Sequence, residues 1–211
     1  MKLVTRKQWD ARPPKAVTPL RPSRGVVVHY SASDADEQSR HRNCAGRVRG
    51  IQRYHMETKG WNDIAYSLLC CKHGYVFQGR GPRARTAANG TNAGNDDYLA
   101  ICFLGDDTKG RDDVTAKGRQ ALVDARKHLL KVHPHARETI GHRDLTKTSC
   151  PGDELYAYIR SPAFRQALRK KPPAGWKPGD PIWENLPGPR PKPDWFWDAL
   201  EEIDRRRESM Q

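Results

Sequence analysis

Two histidines and a cysteine are the residues of this chain whose types and local settings point most directly to chemistry: His29, His142 and Cys150. His29 lies near the end of a β-branched run that starts at Gly25, a pattern that predicts a buried strand with the histidine at its end. His142 and Cys150 bracket a short polar loop that continues into Pro151. Imidazole and thiolate groups bind zinc, and three protein ligands leave a fourth position for water, which is the arrangement of a catalytic zinc.

This ligand set depends on the fold, because His29 and His142 are 113 residues apart in the chain. The elements that must bring them together alternate between strand and helix patterns. Helices are predicted at residues 41–58 and, with Thr115 as the N-cap, over about 17 residues after it. Strands are predicted at residues 25–30, 64–71, 75–79 and 99–104. Such alternation predicts an α/β fold with a mixed central β-sheet flanked by helices.

The remaining candidate residues have simpler interpretations. His55 falls on the apolar face of the first predicted helix, and Cys70 and Cys102 fall in apolar strand patterns, so all three are interpreted as core residues. His73 lies in a hairpin turn and is interpreted as an exposed turn residue. Residues 82–97 are predicted to form a long loop rich in Gly, Asn and Arg, and a loop of that length in a compact domain is often functional.

The local motifs occur in the same order as those of a known family. The chain resembles the type-2 N-acetylmuramoyl-L-alanine amidases, which include phage amidase endolysins and the peptidoglycan recognition proteins of animals. Each motif is weak alone, but the whole set in register is specific. The resemblance covers roughly residues 4–165, through the stretches at residues 4–14, 27–31, 51–56, 60–66, 77–81, 101–105 and 141–152.

The resemblance implies a peptidoglycan recognition protein-like amidase fold and a Zn²⁺ cofactor bound by His29, His142 and Cys150. It also implies cleavage of the amide bond between N-acetylmuramic acid and L-alanine in peptidoglycan. Zinc in such a site makes its bound water acidic enough to attack an amide carbonyl near neutral pH. Tyr66 matches the family's active-site tyrosine and is predicted to lie on a strand, on the same face as Ile64. Its phenol would donate a hydrogen bond to the water or to the developing oxyanion.

Two departures from the family pattern bear on the site. Thr148, beside Lys147, stands where some phage relatives carry a catalytic lysine. A threonine hydroxyl can hydrogen-bond the substrate or the intermediate but cannot act as a cation, so Thr148 is a candidate catalytic residue and the proton donor to the leaving amine stays open. Residues 82–92 replace a run that helps choose the third residue of the stem peptide in relatives, so that specificity also stays open.

The five cysteines form an odd set with no spacing typical of a disulfide framework. In animal relatives a disulfide often ties the loop after the first ligand strand to the helix that follows. Cys44 matches one partner of that disulfide, but the position of the other partner, near Gln38, has no cysteine. This disulfide is therefore predicted to be absent.

Charge is strongly uneven along the chain. The net charge is +13, and because residues 171–211 carry −1, residues 1–170 carry +14. A basic surplus of this size attracts polyanions through a screened, long-range field. Nucleic acid is one such partner, but no nucleic-acid motif is present in the sequence. Peptidoglycan and the anionic polymers of bacterial walls are the preferred partners, given the amidase motifs, and no nucleic-acid partner is expected.

Composition changes near residue 171 and divides the chain into two parts. Residues 1–170 are predicted to be the amidase catalytic domain. Half of the 16 prolines lie in residues 171–193, which predicts a stiff, extended linker. An amphipathic C-terminal helix is predicted to follow, carrying Trp195 and Trp197. Two interpretations of residues 171–211 stay open: packing on the catalytic domain, or binding to the wall or a partner.

The setting in which the protein acts is also predicted from the sequence. No stretch approaches the roughly 18 apolar residues of a membrane span, and the N-terminus lacks the apolar core of a secretion signal. We therefore expect the protein to accumulate in the cytoplasm of the cell that makes it, which favours a phage endolysin that reaches the wall after a membrane pore frees it. We also expect it to be a monomer. One alternative is a non-catalytic peptidoglycan-binding protein of the same fold, although family members that only bind usually lack the cysteine ligand. The other alternative is a basic nucleic-acid-binding protein.

Overall fold

A mixed six-stranded sheet runs through the computed structural model, which describes residues 1–33, 40–106 and 114–169. The strands are β1 (Lys2–Val4), β2 (Gly25–Tyr30), β3 (Leu68–Cys71), β4 (Tyr75–Gln78), β5 (Tyr98–Leu104) and β6 (Glu138–Gly141). Their order in the sheet is β1-β4-β3-β5-β2-β6. The pairing of β3 with β4 is antiparallel and every other pairing is parallel, which confirms the predicted mixed sheet.

Helices cover both faces of the sheet, as the alternating pattern predicted. The helix predicted after Thr115 is present. The Thr115 hydroxyl accepts a hydrogen bond from the backbone N–H of Gly118 and caps the N-terminus of this helix, as predicted. The helices are α1 (His41–Arg53), α2 (Asn92–Asp97), α3 (Ala116–Val132), α4 (Asp153–Arg160) and α5 (Pro162–Leu168).

Two apolar clusters hold these layers together, one on each side of the sheet. Along β5 the side chains alternate, since Leu99 and Phe103 join the cluster under α3, α4 and α5, whereas Cys102 joins the cluster under α1. Cys70 and Cys102 are fully buried, as predicted. His29 is paired in register with Cys102 and therefore projects toward the α1 side of the sheet.

The prediction of one α-helix over residues 41–58 is wrong for its last turn. The α-helical pattern stops at Arg53 and a π-helical turn, Tyr54–Thr58, continues it, with the Lys59 amide donating to the Tyr54 carbonyl. The wider turn lets Nδ1 of His55 accept the amide hydrogen of Ala65 at 3.1 Å. His55 is buried, as predicted, and burial lowers its pKa to about 4, so the ring stays neutral.

The strand predicted over residues 64–71 is shorter, which changes the setting of Tyr66. Only Leu68–Cys71 forms a strand. The carbonyls of Ala65 and Tyr66 accept hydrogen bonds from the amides of Ala87 and Arg80, so loops take the place of a regular strand partner there. Tyr66 thus lies just before β3 rather than on it. Smaller differences are the start of β5 at residue 98, the end of β4 at residue 78, and a short helix, α2, inside the predicted 82–97 loop.

Several predictions concern residues beyond the described part of the chain. The proline-rich linker and the amphipathic helix predicted in residues 171–211 lie outside the described residues. Within residues 1–33, 40–106 and 114–169, no helix has both the length and the apolar character needed to cross a membrane.

Candidate active site

Parallel strand pairing brings His29 and His142 together across the long sequence separation. In the β2–β6 pair, Val28 lies opposite Gly141, so the next residue of each strand emerges at the same edge of the sheet. These next residues are His29 and His142, and their ring centroids lie 4.5 Å apart. The sheet register alone therefore places the two predicted imidazole ligands side by side.

The loop after β6 folds back to add the thiol. The amide of Arg143 donates to the carbonyl of Cys150 at 2.9 Å, which closes the loop on itself. Sγ of Cys150 lies 3.7 Å from Nδ1 of His29. The potential ligand atoms of His29, His142 and Cys150 all lie within 4.8 Å of one another. The structure thus brings the complete predicted ligand set to one place.

The chemistry of this donor set fits zinc. With usual Zn–S and Zn–N bond lengths, a tetrahedral site has edges of about 3.3–3.8 Å between ligand atoms, and the 3.7 Å contact between Cys150 and His29 falls in that range. Burial, and then the proximity of His142, lowers the pKa of His29 to about 3. Burial also lowers the pKa of His142. Both rings are therefore neutral at pH 7, as metal coordination requires.

His142 offers a second sign of fit. Its Nε2 atom is buried and has no hydrogen-bond partner among the described residues. A buried polar atom without a partner is costly in an interior that only packs, but it is expected beside a site that receives a metal, water or substrate. His142 also lines a groove, and its Nε2 lies beside Gly90, which lines the same groove.

Asn89 fixes the orientation of His29. Its Oδ1 lies 2.9 Å from Nε2 of His29, while its Nδ2 donates to the carbonyls of Gly94 at 2.8 Å and Tyr98 at 3.1 Å. Because the amide nitrogen is engaged as a donor, the amide oxygen must accept, and Nε2 of His29 must carry the proton. The lone pair of His29 is then on Nδ1, which points toward Cys150.

Sequence reasoning did not identify Asn89 as a functional residue. The sequence marked residues 82–92 as a departure from the family pattern and residues 82–97 as a long polar loop, without singling out a side chain. Asn89 is fully buried and lies 60 positions from His29 in the sequence, so only the folded loop brings the two side chains together. An amide side chain in a polar loop was the only available signal, and its burial cannot be seen in the sequence.

Replacement of Asn89 by leucine is expected to weaken zinc binding by about 10- to 100-fold, the usual effect of removing a hydrogen bond that orients a metal-binding histidine. Leucine has a similar size but cannot accept the Nε2 proton of His29. Competition with a chelator of known affinity measures the change. Asn62→Leu is the control, because Asn62 is exposed at the rim of the same groove. Equal zinc affinity in Asn89→Leu and the wild type would show that Asn89 does not orient the ligand.

Tyr66 lies beside the ligand cluster, with its ring centroid 5.5 Å from that of His29. Burial, followed by the nearby Cys102 and Cys150 sulfurs, raises the pKa of Tyr66 well above its usual value. The phenol therefore keeps its proton at neutral pH and can act as a hydrogen-bond donor. Its position is compatible with the predicted catalytic role, although it comes from a loop and not from a strand.

Thr148 has a structural task that the sequence did not indicate. Its hydroxyl oxygen accepts the amide hydrogen of Cys150 at 3.2 Å and helps to hold the loop that carries the thiol. The side chain is half-buried, whereas the neighbouring Lys147 is exposed. A contact of Thr148 with substrate stays a prediction.

A groove of about 650 Å³ opens beside His142. One wall is formed by Gly90, which has a φ of +77°. A Cβ atom at this position would lie 2.5 Å from the Thr146 methyl carbon and 3.2 Å from Nε2 of His142. Glycine is therefore required at position 90, where the loop closes over the side chain of His142. The groove is lined by Thr18, Gly60, Trp61, Asn62, Arg80, Arg85, Ala87, Ala88, Gly90, Asn92, Asn95 and His142.

The charged side chains of the groove are held in fixed positions. Arg80 donates to the carbonyls of Ile64 at 2.7 Å and Arg85 at 2.8 Å, which ties the loop after β4 to the segment before β3. Arg85 forms an ion pair with Asp96. Since Arg80 binds these carbonyls and keeps its positive charge, the groove has a cationic wall that suits a ligand bearing carboxylates.

Comparison with known proteins agrees with this geometry. Residues 19–153 match the family model described as N-acetylmuramoyl-L-alanine amidase, a stretch that contains all three candidate ligands. Peptidoglycan-recognition protein SD of Drosophila simulans is 34% identical over 170 residues, which cover 75% of this chain and 84% of the relative. The human N-acetylmuramoyl-L-alanine amidase is 30% identical over 172 residues, which cover 79% of this chain and 29% of the relative.

Solved structures show the same fold. The ectodomain complex of the peptidoglycan recognition proteins LCa and LCx bound to tracheal cytotoxin matches with a TM-score of 0.68 at 27% identity, over 76% of this chain and 96% of that one. The crystal structure of Drosophila peptidoglycan recognition protein SD matches with a TM-score of 0.66 at 29% identity, over 77% of this chain and 95% of that one. The predicted peptidoglycan recognition protein-like fold is confirmed.

Proposed function

This chain belongs to the N-acetylmuramoyl-L-alanine amidase family, and we propose that it is a zinc-dependent hydrolase that cleaves the amide bond between N-acetylmuramic acid and L-alanine in bacterial peptidoglycan. The observation that carries the proposal is the convergence of His29, His142 and Cys150, whose ligand atoms lie within 4.8 Å of one another and of which His142 lines the groove. A three-ligand site of this type keeps one position open, as catalytic zinc sites do.

The residues of the chain divide the work in a defined way. Zinc, when bound, supplies a Lewis acid that makes water nucleophilic near neutral pH and polarises the amide carbonyl. His29, His142 and Cys150 hold it, and Asn89 keeps His29 in the tautomer that leaves Nδ1 available. The protonated phenol of Tyr66 donates a hydrogen bond to the oxygen that becomes negative in the transition state.

The groove beside His142 supplies the place for the stem peptide. Stem peptides carry free carboxylates, and the groove offers the positive charge of Arg80 together with the polar side chains of Asn92 and Asn95. Trp61 adds an aromatic surface to the same groove. Because the bond cleaved in the proposed reaction lies at the N-terminal end of the stem peptide, a productive complex places that end beside His142 and the rest of the peptide along the groove.

A non-catalytic peptidoglycan-binding protein is the competing function, because relatives at similar identity include both a recognition protein and amidases. Cys150 supports the enzyme. Binding of a peptide alone does not require a thiol 3.7 Å from a buried, oriented imidazole, whereas zinc catalysis requires a third ligand at this place.

Product analysis separates the candidate functions. Purified protein is incubated with zinc and a soluble muropeptide, and the products are identified by mass spectrometry. We expect a sugar fragment that ends in the free lactyl carboxyl group and a peptide that begins with the free amine of L-alanine. Retention of the protein on walls without any new amine would support the binding protein. Salt-sensitive DNA binding without wall cleavage would support the nucleic-acid alternative.

The biological role that we propose for this activity is that of a phage endolysin, a monomer that accumulates in the cytoplasm of the infected cell and acts on the wall after release. The basic surplus of residues 1–170 supports attraction to anionic wall polymers. Cells that express the protein should therefore lyse only when their membrane is permeabilised. Lysis without permeabilisation would contradict the proposed release step.

A further inference from the structure

A second cluster of potential metal ligands lies outside the proposed active site. His41, Cys44, Cys71 and His73 place one ligand atom each within 4.8 Å of the others. We propose that these four side chains bind a second zinc ion in a closed, structural site that fastens helix α1 to the β3–β4 hairpin. None of the four is a residue of the candidate active site, and the inference does not depend on the proposed amidase activity.

The contact distances suit a tetrahedral ion. Sγ of Cys44 lies 3.4 Å from Nδ1 of His73, and Sγ of Cys71 lies 3.9 Å from Nδ1 of His41. A tetrahedral zinc site with two sulfur and two nitrogen ligands has edges of about 3.3–3.8 Å. The edge between a sulfur and a nitrogen ligand is about 3.6 Å, and the two contacts lie within about 0.3 Å of it, so these two edges need only small side-chain movements on binding.

Local structure delivers the ligands in two pairs. His41 and Cys44 are three residues apart in α1, so they share one face of the helix. Cys71 is the last residue of β3, and His73 lies in the turn that leads to β4. Gly74, with a φ of +89°, allows that turn to bend sharply. Because α1 packs over the sheet on this side, the helical pair and the hairpin pair face each other.

Burial argues that the four groups form a site and not a chance surface contact. Cys44 and Cys71 are fully buried, and His41 and His73 are half-buried above them. The earlier interpretation of His73 as a simple exposed turn residue is therefore wrong. The His41 ring stacks on Tyr75 with centroids 3.4 Å apart and an angle of 12° between the planes, which restricts its rotation.

The donor set selects the class of metal. Two thiols and two imidazoles are the ligands of structural zinc sites, and hard cations such as Mg²⁺ and Ca²⁺ prefer oxygen. Two thiolates also balance the charge of a divalent ion in a buried place. Four protein ligands leave no position for water, in contrast to the three-ligand set at His29, so the second site has no catalytic position.

The two sites are separate in space. β3 lies two strands from β2 in the sheet order, which corresponds to about 10 Å at the usual strand spacing. Through β5, Leu69 is level with His29, and Cys71 lies two residues further along its strand. Metal bound at one site therefore cannot be shared with the other.

The test counts zinc in the full-length chain. Protein purified with a reductant and zinc at neutral pH is analysed by native mass spectrometry and elemental analysis. We expect two zinc ions per chain in the wild type and one in the Cys44→Ser/Cys71→Ser double variant. Cys70→Ser is the matched control, because this buried thiol is next to Cys71 but belongs to the other face of the sheet, and it should keep both ions. If the double variant fails to fold, His73→Gln is the second test. It leaves both buried thiols in place and should also bind one zinc ion fewer than the wild type.

A stability measurement links the ion to the fold. In the Cys150→Ser background, a chelator should lower the melting temperature, because the remaining zinc joins α1 to the hairpin. Adding the Cys44→Ser and Cys71→Ser changes should abolish that response. A wild-type chain with one zinc that is lost in Cys150→Ser would overturn the second site, as would a disulfide-linked peptide containing Cys44 and Cys71 in the reduced preparation. One zinc that survives Cys150→Ser but not the double change would support the second site and contradict the proposed catalytic one.

Discussion

Replacement of Cys150 by serine is expected to lower the zinc content by one ion per chain and to abolish amidase activity. A serine hydroxyl stays protonated at neutral pH and is a poor zinc ligand, whereas a cysteine thiolate is among the best. The change is nearly isosteric, and the loop retains its backbone bonds, in which the Cys150 amide donates to Thr148 and the Cys150 carbonyl accepts from Arg143. The fold should therefore survive, and the loss should be specific to the ligand.

Two measurements on the same preparation make this result decisive. Zinc per chain is determined by elemental analysis, and turnover is measured with a soluble muropeptide so that wall binding does not contribute. Cys70→Ser is the control, since it makes the same chemical change in a fully buried thiol far from the groove. If Cys150→Ser keeps the zinc content and the rate of the wild type, the ligand assignment is wrong.

The parts of the site that sequence analysis found are those that local motifs specify. His142 and Cys150 share one short loop, so their types and flanking residues are visible together in the sequence. His29 follows a recognisable buried strand, and the alternation of strands with helices indicates the parallel pairing that places it beside His142. The fold class could be predicted for the same reason, since it depends on the period of apolar residues and on helix caps.

The parts that sequence analysis missed depend on contacts between distant segments. The role of Asn89 comes from a hydrogen bond to a residue 60 positions away, and its engagement as a donor depends on the path of the whole 82–97 loop. The second cluster joins α1 to a hairpin, and its residues Cys44 and His73 are 29 positions apart in the sequence. His41 and Cys44 have a two-residue spacer, which is common in zinc motifs, but Cys71 and His73 are only two positions apart, and the sequence does not show that the two pairs meet.

The errors in secondary structure have a related cause. Residues 64–67 have a strand-like composition, but the amides of Ala87 and Arg80 bind the carbonyls of Ala65 and Tyr66 there. The π-helical turn at Tyr54–Thr58 likewise allows His55 to accept the Ala65 amide, a contact with a different segment. Tertiary hydrogen bonds thus override local preference on both sides of Tyr66, and they place its ring near His29.

Replacement of Tyr66 by phenylalanine is expected to lower turnover by about tenfold or more while leaving folding and zinc content unchanged. The ring contributes packing at the edge of the α1-side cluster, and phenylalanine retains that contribution. Only the hydroxyl is lost, and with it the hydrogen bond that we propose for the developing oxyanion. Because this bond strengthens as negative charge develops, the loss should appear in kcat, with KM little changed.

The control for Tyr66→Phe is Tyr158→Phe, which removes the same hydroxyl from a half-buried tyrosine that packs against Phe164, on the opposite side of the sheet. Rates on soluble muropeptide, melting temperature and zinc content are measured for both variants. A lower melting temperature or zinc content in Tyr66→Phe would indicate a structural role. A lower rate of that variant would then not be evidence that the hydroxyl acts in catalysis. Wild-type turnover in a folded, zinc-loaded Tyr66→Phe protein would show that Tyr66 is a packing residue, and that the charge on the oxyanion is stabilised without its phenol.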